Sequence, residues 1–261
     1  MTVTEPTTDV LVVGGGVAGL TAATFTARAE LDTLVLNDGE SILRRNAHLE
    51  NVPGFPAGVN PRLFADLLTE QAERNGVVIE SARVAAIEPG DDDPWIDVRT
   101  AAGDSRRARY VVAASWSDAS YLPAGVDRRT AGSKTFVDED GVGRTSVAGL
   151  YAAGRLAETY HQAVVAAGHG AQVGITLVHD SDTPFYHDWV TPEGYFTDRG
   201  REVPPGCEEI GPAEQRRRQA ASRELMRERF AEPHRERQRT HPSLVGDEKG
   251  RVDEAWEIEG S

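Results

Sequence analysis

A short β-branched apolar run, a glycine cluster, an alanine-rich helical stretch and a second apolar run follow one another near the start of the chain. Together they predict an α/β protein built on a doubly wound parallel sheet. Residues 9–13 (Asp-Val-Leu-Val-Val) are apolar without alternation, as a strand covered on both faces must be. Residues 17–30 place small and apolar side chains at helical spacing, and residues 33–36 (Thr-Leu-Val-Leu) lead into the turn Asn37-Asp38-Gly39. Strand, turn, helix, strand is a βαβ unit, and its two strands run parallel.

Residues 40–60 read as a loop, punctuated by Pro53, Gly54, Pro56 and Gly58. Pro61 suits the first turn of a helix reaching about Asn75, with Leu63, Phe64, Leu67, Leu68 and Ala72 on one face and Gly76 as its stop. Residues 77–79 read as the next strand. Residues 84–88 and 95–100 alternate across an acidic turn at 89–94, which adds a β-meander to the sheet. Residues 110–114 form a buried strand, 115–132 an irregular stretch, 135–137 and 149–153 two short strands, and about 161–178 a helix. After His179 the composition changes. Residues 180–211 carry Pro184, Pro192, Pro204 and Pro205 with several aromatics, and residues 212–239 are dense in arginine and glutamate. A helix is expected over 212–231, with Leu225, Met226 and Phe230 as a thin apolar stripe, and the last ~20 residues as a frayed end. The expected organisation is one domain over residues 1–179 and a mixed C-terminal extension over 180–261.

The chain has 261 residues, 28 of them basic and 42 acidic, for a net charge of −14. That balance argues against a nucleic-acid surface. Only Lys134 and Lys249 are lysines, a composition that looks halophilic. One cysteine, Cys207, excludes an intrachain disulfide, a Cys-x-x-Cys redox pair and a cysteine zinc site. No run approaches the ~18 apolar residues that span a bilayer, and the polar start carries no secretion signal, so a cytoplasmic protein without a membrane partner is expected.

Gly14-x-Gly16-x-x-Gly19 lies between the first strand and the first helix. Its first glycine allows the tight turn, the second lets backbone approach a pyrophosphate, and the third lets helix and strand pack closely. The helix then offers free N–H groups and the positive end of its dipole to the phosphates, so a dinucleotide is expected here. An acid about 20 residues further on commonly holds a ribose hydroxyl, and Asn37 and Asp38 occupy that place. The same residues also suit a plain turn.

The glycine motif, Glu50-Asn51-Val52-Pro53-Gly54-Phe55-Pro56, residues 145–154 (Thr-Ser-Val-Ala-Gly-Leu-Tyr-Ala-Ala-Gly) and Gln162-Ala163-Val164-Val165-Ala166-Ala167-Gly168-His169-Gly170 occur in an order that resembles the thioredoxin reductase-like flavoproteins. The likeness falls in two blocks, about 8–116 and 134–178, which in that family make one Rossmann-like FAD-binding domain. It implies FAD as cofactor. Gly14, Gly16, Val17, Ala18 and Gly19 would face the pyrophosphate, and Asn37 and Asp38 the adenosine ribose. Val84 would meet the adenine through its backbone, and Asn51 would lie near the flavin. Gly154 and Arg155 fall at the ribityl chain, and His161, Gln162 and Ala163, at a helix N-terminus, at the isoalloxazine carbonyl edge. Arg45, in Arg44-Arg45-Asn46, is a phosphate partner or part of a solvated basic loop.

Departures from the family bear on activity. The family inserts an NAD(P)H-binding domain between the blocks, where this chain has a short linker without a second glycine motif, and the family's Cys-x-x-Cys is absent. The usual Ala-Thr-Gly reads Ala113-Ala114-Ser115, and the usual Ala-Gly-Asp reads Ala153-Gly154-Arg155. Arg155 would turn to the pyrophosphate, to reduced flavin or to a carboxylate such as Glu158. The resemblance therefore implies an FAD-dependent oxidoreductase without dithiol chemistry, reduced from outside by free NAD(P)H or a redox protein. Two alternatives are a non-catalytic scaffold that binds FAD, NAD or ADP, and a half-enzyme that needs a partner chain. No nucleophile triad, paired catalytic carboxylates or metal motif identifies a catalytic residue. His179, Asp180, Asp182, His187 and Asp188 match no metal spacing and read as solvated loop. The aromatic segment 185–196 is expected to fold over the flavin face, to pack on the domain surface, or to make a homodimer contact.

Overall fold

The computed structural model describes residues 7–90, 94–132, 134–183 and 187–238. The expected frayed end, Lys249, and Phe185 and Tyr186 of the aromatic segment lie outside the described residues.

The chain forms β1 (Thr7–Val13), α1 (Val17–Arg28), β2 (Thr33–Asn37), α2 (Pro61–Arg74), β3 (Val78–Ser81), β4 (Val84–Pro89), β5 (Ile96–Thr100), β6 (Ser105–Ala113), β7 (Arg128–Ala131), β8 (Lys134–Val137), β9 (Leu150–Ala152) and α3 (Ala163–Asp180). β10 (Trp189–Pro192), β11 (Cys207–Ile210) and α4 (Pro212–Arg229) follow. Strands β3, β2, β1, β6 and β9 are neighbours in that order and all pair parallel, while β4, β5 and β6 form an antiparallel meander in the same sheet.

β6 joins the two parts. Ile96 to Arg99 of β5 pair with its first half, and Leu150 to Ala152 of β9 with its second. The strand therefore starts earlier than the apolar run at 110–114 suggests. Its first residues, Ser-Arg-Arg-Ala-Arg, are mostly polar because one side of a meander meets water.

The pleat sorts the core into two layers. Leu11, Val13, Leu36 and Val111 point towards the meander and pack with Ile87, Val98, Tyr121 and Leu156. Val10, Val12, Val35 and Val112 point the other way and pack with Ala22 of α1, Ala72 of α2, and Val173 and Leu177 of α3. Helices thus cover one face of the parallel sheet, and the meander covers the face that helices cover in an ordinary doubly wound sheet. Asn60 caps α2, its side chain accepting from the N–H groups of Arg62 and Leu63, with Pro61 in the first turn.

The C-terminal region packs at two places. β10 and β11 pair parallel beside an aromatic knot, with Trp189 and Tyr195 centroids 4.9 Å apart, and Asp188 binds Arg28 at the far end of α1. After α4, the chain folds over α2 and the loop before it. Phe230 stacks on Phe55 at 6.2 Å, Arg229 binds Glu70, His234 binds Asp66 and Glu236 binds Arg44. Among the described residues no helix is long and apolar enough to cross a membrane.

Candidate functional site

A cleft of about 360 Å³ opens at the C-terminal ends of β1, β2 and β6, where open parallel sheets bind their ligands. The glycine loop forms its floor. Gly14 holds φ +111°, and a side chain there would strike Ala114 O at 2.6 Å. A Cβ on Gly19 would lie 2.0 Å from Gly14 O, so Gly19 packs behind the loop and does not line the cleft. Gly16 faces open space, its nearest neighbour being Ser41 Oγ at 3.9 Å. Gly16 also stands at the N-cap of α1, and no side chain caps that helix. Its first N–H groups are therefore left for a ligand.

Asn37 and Asp38 line the same cleft. Asn37 Oδ1 accepts from Gly15 N–H at 2.8 Å, and its Nδ2 donates to Gly39 O at 2.8 Å, so the side chain pins the glycine loop to the end of β2. Asp38 lies 3.6 Å from Arg83, which also reaches Asp118 at 3.5 Å. Val84, at the start of β4, lines this end of the cleft.

The two adjacent arginines part ways. Arg44 turns away from the cleft to Asp66 and Glu236, whereas Arg45 lines it. Asn51 stands outside the lining but donates from Nδ2 to Gln162 Oε1 at 2.6 Å, tying its loop to the entrance of α3. Gln162 is the N-cap residue of α3 and makes no side-chain cap, so a second helix presents bare N–H groups to the cleft. That helix begins at Ala163, and His161 and Gln162 precede it.

Gly154, Arg155, His161, Gln162 and Ala163 all line the same cleft. Gly154 holds φ +68°, where a side chain would meet Ala18 Cβ at 2.7 Å, and its N–H donates to His169 Nδ1 at 3.0 Å. Burial holds the His169 pKa below the ordinary histidine value, which keeps Nδ1 available as an acceptor. Arg155 lays its guanidinium over the Phe136 ring at 4.7 Å and donates to Thr159 O at 3.2 Å. Of the three alternatives for Arg155, the pairing with Glu158 is not made, and Glu158 binds Arg129 of β7 instead. Arg155 Nε and Thr159 Oγ1 are buried without a hydrogen-bond partner among the described residues.

Several residues of the cleft were not singled out by the sequence. Trp116 lines the cleft with φ +61° and meets the His161 ring edge-on at 5.2 Å. Loss of water, followed by the charges of Arg155 and Lys134, holds the His161 pKa below its ordinary value, so the ring is neutral near pH 7. Ser115 Oγ donates to Asp118 O at 2.7 Å and receives the buried Tyr121 hydroxyl at 2.6 Å. Burial raises the Tyr121 pKa, which keeps that hydroxyl a donor. The signal for this network was the serine in place of the usual glycine, followed by an aromatic residue.

None of the described residues of the aromatic segment, 187–196, lines the cleft. Asp188 fixes it at the C-terminal end of α1, while the glycine loop is at the N-terminal end. The acids near it go to separate arginines: Asp180 to Arg144, Asp182 to Arg109 and Asp188 to Arg28.

An elongated, anionic dinucleotide fits these residues. The glycine cradle is open at Gly16, two uncapped helix N-termini face one cleft, and buried donors stand unpartnered at the Arg155 end. A family model described as a FAD binding domain matches residues 9–48. The chain is 36% identical over 117 residues to a bifunctional thioredoxin reductase/thioredoxin of Mycobacterium leprae, covering 44% of this chain and 25% of that protein. It is 29% identical over 126 residues to a thioredoxin reductase of Listeria monocytogenes, covering 48% of this chain and 38% of the relative. Among solved structures, a thioredoxin reductase from Gloeobacter violaceus aligns with a TM-score of 0.60 at 18% identity, over 67% of this chain and 95% of that one, a likeness of fold. The matches thus span well under half the length of these curated relatives.

Proposed function

We propose, from the premise that this chain is a thioredoxin reductase-like FAD-binding oxidoreductase, that it works without dithiol chemistry and takes its electrons from outside. The observation that carries this is the single cleft onto which the glycine loop and the bare N-termini of α1 and α3 open. FAD supplies the redox chemistry through its isoalloxazine ring.

The chain's own residues bind and orient it. N–H groups of α1 and the Arg45 guanidinium hold the pyrophosphate, Asp38 serves the adenosine ribose, and Arg155 and the α3 N-terminus hold the flavin end. Cys207, the one cysteine of the chain, starts β11 with its Sγ 3.8 Å from His187 O. That strand belongs to the small sheet at the far end of α1, so no thiol stands at the cleft. Between β6 and β9 the described residues form turns and the β7–β8 hairpin, which offers no second nucleotide fold. These features support an external reductant, NAD(P)H or a redox protein.

One observation favours a non-catalytic binding protein. Arg155 stands where the family has a carboxylate, and it is already stacked on Phe136. The two readings separate in one anaerobic experiment. FAD-loaded protein, identified by absorption near ~450 nm and by FAD release on denaturation, is expected to bleach with NADH, NADPH or a reduced redox protein and to turn over no thioredoxin. A loaded flavin that none of these reduces supports the binding protein. Thioredoxin turnover by this chain alone overturns the external-reductant reading, and protein that takes up no FAD overturns both.

A further inference from the structure

We infer that the cleft binds a planar anion, an aromatic carboxylate, against Trp116, Tyr160 and His161, with the charges of Arg155 and Lys134 drawing it there. This rests on the flavoprotein reading and names a substrate class for it. Trp116 takes a left-handed backbone conformation that is costly for a bulky residue, and it does so at the cleft, facing His161. Tyr160 lines the same cleft while 80% exposed, an aromatic surface with little protein against it. Flat walls of this kind suit a flat ligand.

Charge selects the anion. The chain carries −14 overall, so its general field repels anions, and a local exception is needed to admit one. Lys134 and Phe136 lie two residues apart on β8 and so project to the same face, and Phe136 underlies the Arg155 guanidinium at 4.7 Å. Arg155, which lines the cleft, and Lys134, outside the lining, both put positive charge near His161. Nearby carboxylates are committed elsewhere: Glu158 to Arg129, Asp118 to Ser120 and Arg83, and Glu139 to the N–H groups of Gly141 and Gly143. Arg83, by contrast, is neutralised by Asp38 and Asp118.

The test uses the full chain and three probes: benzoate, cyclohexanecarboxylate (anion without an aromatic ring) and benzamide (ring without charge). FAD content is read first from flavin absorbance, and binding is then followed by calorimetry and tryptophan fluorescence. Benzoate is expected to bind best, and Lys134→Gln to weaken it about threefold to tenfold with FAD content unchanged. Trp116→Ala is expected to abolish the fluorescence response and weaken benzoate by a similar factor. Equal affinity for benzoate and benzamide, no effect of Lys134→Gln, or no binding at millimolar benzoate to FAD-loaded protein overturns the inference and leaves the flavin reading standing. Absence of FAD overturns the flavin reading. The same titrations on that FAD-free protein then still decide the aromatic-anion site.

Discussion

Arg155 is the residue at which this site departs most from a carboxylate-lined one. An arginine only donates and stays charged, so it suits an anionic group and cannot accept from a ribityl hydroxyl. Its place over Phe136, with Nε buried and unpartnered, sets the guanidinium in advance for such a group. Arg155→Ala is therefore expected to weaken FAD by about 1.5–3 kcal/mol in a fluorescence titration, the scale of a charge-assisted hydrogen bond. Arg155→Lys should restore little, since the planar stack is lost. Unchanged affinity in both variants would remove Arg155 from the site. Gly19 makes a different demand: a Cβ 2.0 Å from Gly14 O forces the loop to move. Gly19→Ala is expected to cost about 1–3 kcal/mol of stability in denaturant melts, as overpacking does. The glycines were legible because their spacing is itself the geometry. Trp116 was not, because its role exists only once the end of β6 and the entrance of α3 are brought face to face.

At the scale of elements, the segment after α4 acts as a strap on the loop that carries Arg45. Phe230 stacks on Phe55, His234 and Arg44 converge on Asp66, and Gln238 donates to Arg45 O at 3.2 Å. Burial pushes the Asp66 pKa up, but hydrogen bonds from His234 and Arg44 outweigh it and leave it below the usual carboxylate value. A depressed folded pKa stabilises above the unfolded value of ~3.9 and is lost as pH falls through the folded one. The strap is therefore expected to loosen below pH ~4, seen as earlier protease cutting after α4, while the sheet persists. Asp66→Asn should loosen it at neutral pH by about 0.5–1 kcal/mol, given how exposed the group is. A cutting pattern independent of pH and of Asp66 would show that the strap is held by Phe230 alone. The arginine–glutamate composition foretold helix α4 but not this docking, since one aromatic stack and scattered ion pairs leave no periodic trace. β7 was hidden for a related reason: its residues Arg-Arg-Thr-Ala are all exposed.

For the whole molecule, the layers followed from apolar runs that only a doubly covered sheet can use, and the meander from alternation. The fate of the aromatic segment did not follow, because Asp188 and Arg28 are 160 residues apart. The same long-range blindness applies to charge. Composition gives −14, but not which acids are neutralised by pairs such as Arg144–Asp180. Because a surplus of like charge remains, added salt is expected to raise the melting temperature up to ~1 M, where the screening length is ~3 Å. A melting temperature that falls with salt would mean that the ion pairs outweigh the repulsion. The split edge of β6 has a consequence for ancestry and for engineering. Val111 and Val112 meet Leu150 and Tyr151 directly, so the sheet closes across the interval 114–149, whose residues Tyr121, Leu122, Val126 and Val137 pack against it. Within that interval the exposed strand β7 is the socket: doubling a loop there costs only ~0.6 kcal/mol in closure entropy, so added chain can be plugged in while Trp116, Tyr121 and Phe136 keep their places at the cleft and in the core.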